Sequence, residues 1–219
     1  MVDFRFDIIA EYSHFFLMGT LLTIGLSLAG IFFGTILGLF IALGKLMENK
    51  FVSFFFTCYI GFFRGTPLLV QILIIYFGVV PYFMGHSNGV AAGILALSLN
   101  ASAYIAETVR AGIQSIHKGQ TEASRSLGMT HVQSMRYIIL PQAIRRILPP
   151  LGNEFISLIK DSSLVSTIAT PELMYWAQAM NAQYYRVWES YVTTAVIYLL
   201  LTVSTSYFLS RFERRLSVK

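Results

Sequence analysis

Charge is what this sequence has least of. Only 12% of its 219 residues are Asp, Glu, Lys or Arg, about half the share of an ordinary soluble domain. A soluble globular enzyme is nearly excluded on that ground. Cysteine is scarcer still: Cys58 stands alone inside an apolar run, which excludes an intramolecular disulfide, a cysteine-based zinc cluster and an iron–sulfur site. His14, His86, His117 and His131 are scattered without an H-x3-H or H-E-x-x-H spacing, so nothing points to a metal. No G-x4-G-K-S/T loop is present, and the chain has no P-loop for ATP phosphates. Ser126, Ser162 and Ser163 have no nearby base in sequence, and no G-x-S-x-G turn appears. There is no internal repeat and no low-complexity tract.

Apolar residues are abundant. They make up 55% of the chain, with eighteen Phe and eight Met, and the mean hydropathy is +0.63. Phe15 to Gly44 is 30 residues without a charge. A bilayer core needs roughly 20 helical residues, so this run spans with length to spare. It is too long for a secretory signal core, and the residues before it are acidic (Asp3, Asp7 and Glu11 against Arg5). With the later runs, five spans are expected at about 15–44, 51–81, 89–106, 148–169 and 191–210. The fold class expected is an all-α integral membrane protein, a single transmembrane domain over 1–219. An odd number of spans argues against a transporter built from two inverted halves and favours one subunit of a larger assembly.

Lys and Arg near the span ends set the orientation. Twelve lie in the loop 44–52, the segment 107–146 and the tail; Arg5 and Arg186 alone lie on the alternate side. The N-terminus is therefore expected outside and the C-terminus in the cytoplasm. Trp176 and Trp188 fall in the last external segment with Tyr175, Tyr184, Tyr185 and Tyr191, as an interfacial aromatic belt does. The basic balance is topology and not a nucleic-acid footprint.

The segment of about 107–146 is expected to lie in the cytoplasm and to be helical. Glu107 and Arg110 form an i,i+3 pair that carries the third helix past the membrane, and Gly119 is placed to end it. A short helix over 121–127 is expected to stop at Gly128. Thr130 and Gln133 make a capping box for another, and Pro141 suits the first turn of the next helix. Two short amphipathic helices meeting at a glycine can dock a partner protein or lie on the bilayer surface.

The residues here carry a resemblance. Glu122-Ala123-Ser124, three residues, Gly128, nine residues, Ile138, one residue and Leu140-Pro141 resemble the EAA loop of ABC importer membrane subunits, whose pattern is E-A-A, x3, G, x9, I-x-L-P. Ser124 is the one departure, a small residue for a small one. Arg64-Gly65-Thr66-Pro67-Leu68-Leu69-Val70-Gln71, Ala103-Tyr104-Ile105-Ala106-Glu107, Gly152-Asn153-Glu154-Phe155-Ile156 and Lys160-Asp161-Ser162-Ser163-Leu164 are similar to the polar amino acid permeases of that superfamily. The resemblance implies a type I importer fold in a bacterial cytoplasmic membrane, the inner membrane or plasma membrane. It implies a dimer with a second permease subunit (the same chain or a related one), two ATPase subunits that hold ATP and Mg, and an extracellular or periplasmic amino-acid-binding protein. This chain itself would need no cofactor. Glu122, Ala123, Ser124, Gly128, Ile138, Leu140 and Pro141 would be the ATPase docking positions.

Ionisable residues inside spans are costly and mark function by default. Arg64 and Asp161 each lie about 20 Å into their spans at 1.5 Å per residue. Glu154 and Asp161, seven apart, share one helix face; Asn153 and Lys160 repeat the spacing on the neighbouring stripe. Pro67 must distort the second span, because its ring crowds the Phe63 carbonyl and it has no N–H to give. Arg64 or a ligand could supply the donor that carbonyl then lacks. An amino acid's carboxylate could meet Arg64 or Lys160 and its ammonium Glu154 or Asp161, with Thr66, Gln71 and Asn153 adding neutral hydrogen bonds. The alternative is that the four charges pair among themselves and fix helix packing. Thr170-Pro171-Glu172-Leu173 reads as an N-cap with proline at the first helical position, opening a short external helix over 171–180. Three functions compete: an ATP-driven amino acid importer subunit, a membrane-embedded enzyme using Glu154 and Asp161 as acid and base, and an ion-coupled carrier or channel. The EAA-type spacing favours the first.

Overall fold

A computed structural model describes residues 4–217, with side chains for 4–214. Asp3 and Lys219, used in the charge count, lie outside the described residues, as does the Arg215 side chain. Everything regular within them is helical. The order is α1 (Phe6–Lys45), α2 (Lys50–Gly65), α3 (Leu68–Ile74), α4 (Val80–Met84), α5 (Gly89–Gln114), α6 (Lys118–Ser126), α7 (His131–Ser134), α8 (Leu140–Asp161), α9 (Leu173–Tyr184) and α10 (Val187–Ser217). Three helices are long and apolar enough to cross a membrane: α1, α5 and α10. A fourth crossing is available if the bent pair of Lys50–Gly65 and Leu68–Met84 counts as one.

The core is the packing of α1 on α5, and small residues make it possible. Gly30, Gly34 and Gly38 line one stripe of α1. A Cβ on Gly34 would come within 2.9 Å of the Ala101 Cβ, and one on Gly38 within 2.9 Å of the Ile105 Cβ. Lipid tails are as apolar as leucine, so close backbone approach drives such contacts. Leu26, Ile41, Leu97, Ala101, Ile105 and Leu158 are buried around this seam. At the end of these helices nearer α6, Lys45 Nζ donates to Glu107 Oε2 at 2.9 Å, and Arg110 reaches the other Glu107 oxygen. The Glu107–Arg110 pair expected from spacing is thus part of a three-residue clamp joining α1 to α5.

Two interruptions are proline devices. Thr66 and Pro67 are extended, and the chain turns by 106° between α2 and α3. The residue before a proline is pushed out of the helical region, and the expected distortion of span 51–81 is a full break. Proline also explains two π turns, Ile75–Val79 ahead of Pro81 and Met135–Ile139 ahead of Pro141. One extra residue in the turn makes room for a ring that cannot accept the ordinary helical geometry. Through the second π turn, α7 runs into α8 without leaving the helix.

Several boundaries differ from the expectations. The first helix starts at Phe6, not near 15, because Ile8, Tyr12 and Phe16 are buried against Leu173, Ala177 and Met180 of α9 in a second, smaller core. The third long helix ends at Gln114, and Gly119 lies inside α6, whose N-cap is His117. The helix of span 148–169 begins at Leu140 and gives way after Asp161 to a 3-10 helix over Ser162–Ile168. There Ser162, Ser163, Ser166 and Thr167 each donate to the carbonyl three residues back. Finally, α9 is capped by Glu172, not Thr170: its carboxylate accepts from the Tyr175 N–H at 2.9 Å. Glu172 is fully buried and also accepts from Thr23 of α1 and Tyr198 of α10, which ties three helices together.

Candidate functional site

The break at Thr66-Pro67 opens a cavity of about 380 Å³, lined by Thr66, Pro67, Leu68, Asn100, Tyr104, Glu154, Ser157 and Asp161. Three helical segments build it. The extended Thr66-Pro67 step supplies one wall. Asn100 and Tyr104, one turn apart on α5, supply a second. Glu154, Ser157 and Asp161 form a single stripe of α8 at i, i+3 and i+7. The Arg64 guanidinium lies over the Tyr104 ring, 5.3 Å from its centroid, and Glu154 lies within electrostatic range of both Asp161 and Arg64.

The break is held by a buried amide brace. Gln71, 2% exposed, donates from Nε2 to the Phe63 carbonyl at 2.9 Å, and to the Thr66 carbonyl and hydroxyl at 3.1 and 2.9 Å. Asn100 Nδ2 donates to the same Phe63 carbonyl at 3.2 Å and to Gln71 Oε1 at 3.0 Å. The carbonyl freed by Pro67 is therefore satisfied by Gln71 and Asn100, not by Arg64 or a ligand.

Of the residues singled out from sequence, Thr66, Glu154 and Asp161 line this cavity and Arg64 sits at its Tyr104 wall. Gln71 lies behind the wall as the brace. Lys160 borders a different cavity, with Ser163, Met174, Tyr191, Thr194, Ala195 and Tyr198. Asn153 is exposed on the neighbouring stripe and lines neither. No direct ion pair joins Arg64, Glu154, Lys160 and Asp161 among the described residues. Asn100, Tyr104 and Ser157 were not anticipated. Ser157 could have been found by extending the Glu154–Asp161 stripe, whereas Asn100 carries no charge to draw attention.

A second site lies at the α6–α7 junction. The Met129 N–H donates to the Ser124 carbonyl at 3.1 Å and the Gly128 N–H to the Arg125 carbonyl at 3.0 Å. With Gly128 at φ +82°, this is the paired C-terminal motif that glycine enters without strain. The Thr130–Gln133 capping box is present as expected. Ser124 is buried and its hydroxyl meets that of Ser134, so the one departure from the EAA pattern adds a bond between α6 and α7. Glu122, Ala123 and Gly128 are exposed, beside Leu127 at 83% and Val132 at 72%. Ile138 packs on the main core, Leu140 is half-buried, and Pro141 is exposed at the start of α8.

Comparison with known proteins places this geometry. A family described as the binding-protein-dependent transport system inner membrane component matches residues 30–218. The probable glutamine ABC transporter permease protein GlnM of Bacillus subtilis is 40% identical, over 98% of this chain and 97% of its own. The glutamine transport system permease protein GlnP of Escherichia coli is 36% identical, over 91% and 92%. A crystal structure of an amino acid ABC transporter with histidines is 45% identical with a TM-score of 0.91, covering 98% of this chain and 99% of that one. An inward-facing MetNI methionine ABC transporter shares the fold at 20% identity and a TM-score of 0.83. With a match that begins inside α1 and runs through α10, the chain belongs to the binding-protein-dependent transport system inner membrane components.

Proposed function

We propose that this chain is the permease subunit of an ATP-driven importer of polar or charged amino acids. The cavity at the α2–α3 break is then the place where substrate is held. The observation that carries this is the charge arrangement: two carboxylates on one stripe of α8 line a cavity of ligand size, and a guanidinium lies over the ring of Tyr104, another of its lining residues. Such a set can meet both ends of a zwitterion. The relatives bearing amino acid transport names support the same substrate class.

The chain crosses the membrane five times in this reading, with α8 and its 3-10 extension as a crossing despite their charges, the N-terminus outside and the C-terminus inside. Twelve basic residues on one side against two on the other support it. ATP hydrolysis belongs to a separate ATPase chain. That chain docks on the exposed α6–α7 surface around Glu122, Ala123, Leu127, Gly128 and Val132, while an external binding protein delivers the amino acid. The helix from His131 to Asp161 is then a lever of about 45 Å at 1.5 Å per residue, with the docking surface at one end and the Glu154–Asp161 stripe at the other. A second permease subunit, identical or related, completes the path.

The test is to measure uptake by Glu154→Gln and Asp161→Asn while following ATPase subunit retention. Each variant should lose roughly tenfold or more of substrate affinity, the scale of one hydrogen bond to a charged group, with the ATPase still bound. Unchanged transport kinetics in both variants would assign the carboxylates to packing instead.

A further inference from the structure

The second cavity, of about 330 Å³, lies between the end of α8, the 3-10 helix, α9 and α10, a size within the ligand range of roughly 300–1,000 Å³. Its walls are mainly apolar: Met174, Ala195 and the rings of Tyr191 and Tyr198. Lys160 is the charged residue among those lining it, and no acid joins it there. The neighbouring Asp161 lines the other cavity, and no ion pair of the Lys160 ammonium is found among the described residues. The lining hydroxyls are mostly committed. Ser163 donates to the Lys160 carbonyl at 2.6 Å, Thr194 to the Ser190 carbonyl at 2.8 Å and Tyr198 to the Glu172 carboxylate at 2.8 Å. The Tyr191 hydroxyl has no such bond among the described residues. One cation at an apolar cavity complements a ligand with one anionic group on a hydrocarbon chain.

Position along α10 selects the same class. Tyr191, Ala195 and Tyr198 lie about 6, 12 and 17 Å beyond Val187 at 1.5 Å per residue. With the start of α10 at the outer membrane surface, the orientation proposed above, the cavity reaches from the interfacial layer, roughly 5–8 Å thick, into the hydrocarbon of the outer leaflet. A lysine at this level buries its stem and extends its ammonium toward the phosphate layer. The groove on α1 at Leu28, Phe32 and Ile36 is larger, about 660 Å³, but no charged residue lines it, and nothing there sorts one lipid tail from another. Resting on that membrane orientation and not on the choice of substrate, we propose that the Lys160 cavity binds an anionic phospholipid. Its phosphate meets Lys160 and the Tyr191 hydroxyl, and an acyl chain lies against Met174, Ala195 and Tyr198. A headgroup with a single negative charge is preferred over a zwitterionic one, whose own cation would stand beside Lys160. The bound lipid then lies against the stripe of α8 next to the one that carries Glu154 and Asp161.

The test is native mass spectrometry of the purified permease–ATPase complex in detergent, titrated with dioleoyl phosphatidylglycerol or dioleoyl phosphatidylcholine. Wild type should bind the anionic lipid roughly five- to tenfold more tightly at one site per permease copy, the scale of one basic residue against an anionic headgroup. Lys160→Gln should remove that preference. Ala195→Phe, which fills the cavity from an exposed position and leaves the charge in place, should weaken binding of both lipids. Lys50→Gln, at the exposed start of α2, should behave as wild type. If a variant fails to assemble, wild-type complex photolabelled with phosphatidylglycerol carrying a diazirine on its acyl chain decides the question, with label expected on Met174 or residues 191–198. Equal affinity for the two lipids, label elsewhere, or a preference that survives both cavity variants overturns the site. Loss of a permease copy from either variant, with lipid preference unchanged, gives the cavity to a subunit contact and overturns it too. ATP-driven uptake by the same preparation, supplied with binding protein, separates the two readings. Uptake without a lipid preference overturns the lipid site alone, and a lipid preference without uptake of any amino acid overturns the importer reading alone.

Discussion

Replacing Gln71 with leucine tests how the broken helix is held, because one buried amide carries most of the brace. Nε2 serves the Phe63 carbonyl, the Thr66 carbonyl and the Thr66 hydroxyl, and Oε1 accepts from Asn100. Leucine fills similar space and removes all of it. The Phe63 carbonyl keeps Asn100 at 3.2 Å, so it is not orphaned. The Thr66 carbonyl loses its side-chain donor, and one Asn100 hydrogen loses its acceptor. A buried polar group left without a partner costs about 1–3 kcal/mol, and polar contacts inside membrane bundles fall toward the lower end of that scale. Two such groups give roughly 2–4 kcal/mol. At about 2–4 °C per kcal/mol for a chain of this size, purified Gln71→Leu protein in detergent should melt at least about 4 °C below wild type. Uptake should fall as well, since Thr66 both receives the brace and lines the cavity. Gln71→Glu keeps the shape and the acceptor but loses the donor, and should destabilise too. A Gln71→Leu protein with wild-type melting temperature and uptake would refute the claim that the brace holds the break.

Packing and coupling give two more outcomes. Gly34→Leu on α1 must displace Ala101 and the Ser98 carbonyl, which stand 2.9 and 3.2 Å from a Cβ at that position; overpacking of this kind costs about 1–3 kcal/mol. Gly25→Leu on the same helix meets open space and should melt like wild type, so equal melting of the two variants would refute the close-approach seam. Gly128→Asp places a side chain at φ +82° in the junction between α6 and α7. The chain should still insert, but substrate-stimulated ATPase activity should drop; equal stimulation with normal ATPase retention would show that the junction does not transmit the motion.

How much was legible in the sequence depended on whether a local signal or a distant partner decided each feature. The long charge-free runs marked α1 and α10, Gly128 and Thr130 marked the ends of α6 and α7, and Pro67 marked the break, because each acts through its own backbone. The start of α1 at Phe6 was hidden, since Ile8 and Tyr12 become helical core only against α9, some 160 residues away in the chain. Glu172 was hidden as a cap for the same reason: its buried carboxylate depends on Thr23 and Tyr198. The stripe of Gly30, Gly34 and Gly38 lay in plain view at four-residue spacing, and its meaning appeared only with α5 against it. At the cavity, charge drew attention to Arg64, Glu154 and Asp161. Charge also drew attention to Lys160, which stands on the neighbouring stripe; neighbouring residues on a helix point about 100° apart, and Lys160 and Asp161 border separate cavities.

Uptake of labelled amino acid into proteoliposomes tests the central claim most directly. The permease is reconstituted with its ATPase and supplied with binding protein, with ATP on the ATPase side and no ion gradient. Accumulation that requires ATP, the ATPase subunit and the binding protein together is the result expected. Accumulation by the permease alone under an ion gradient, unaffected by ATP, would contradict it.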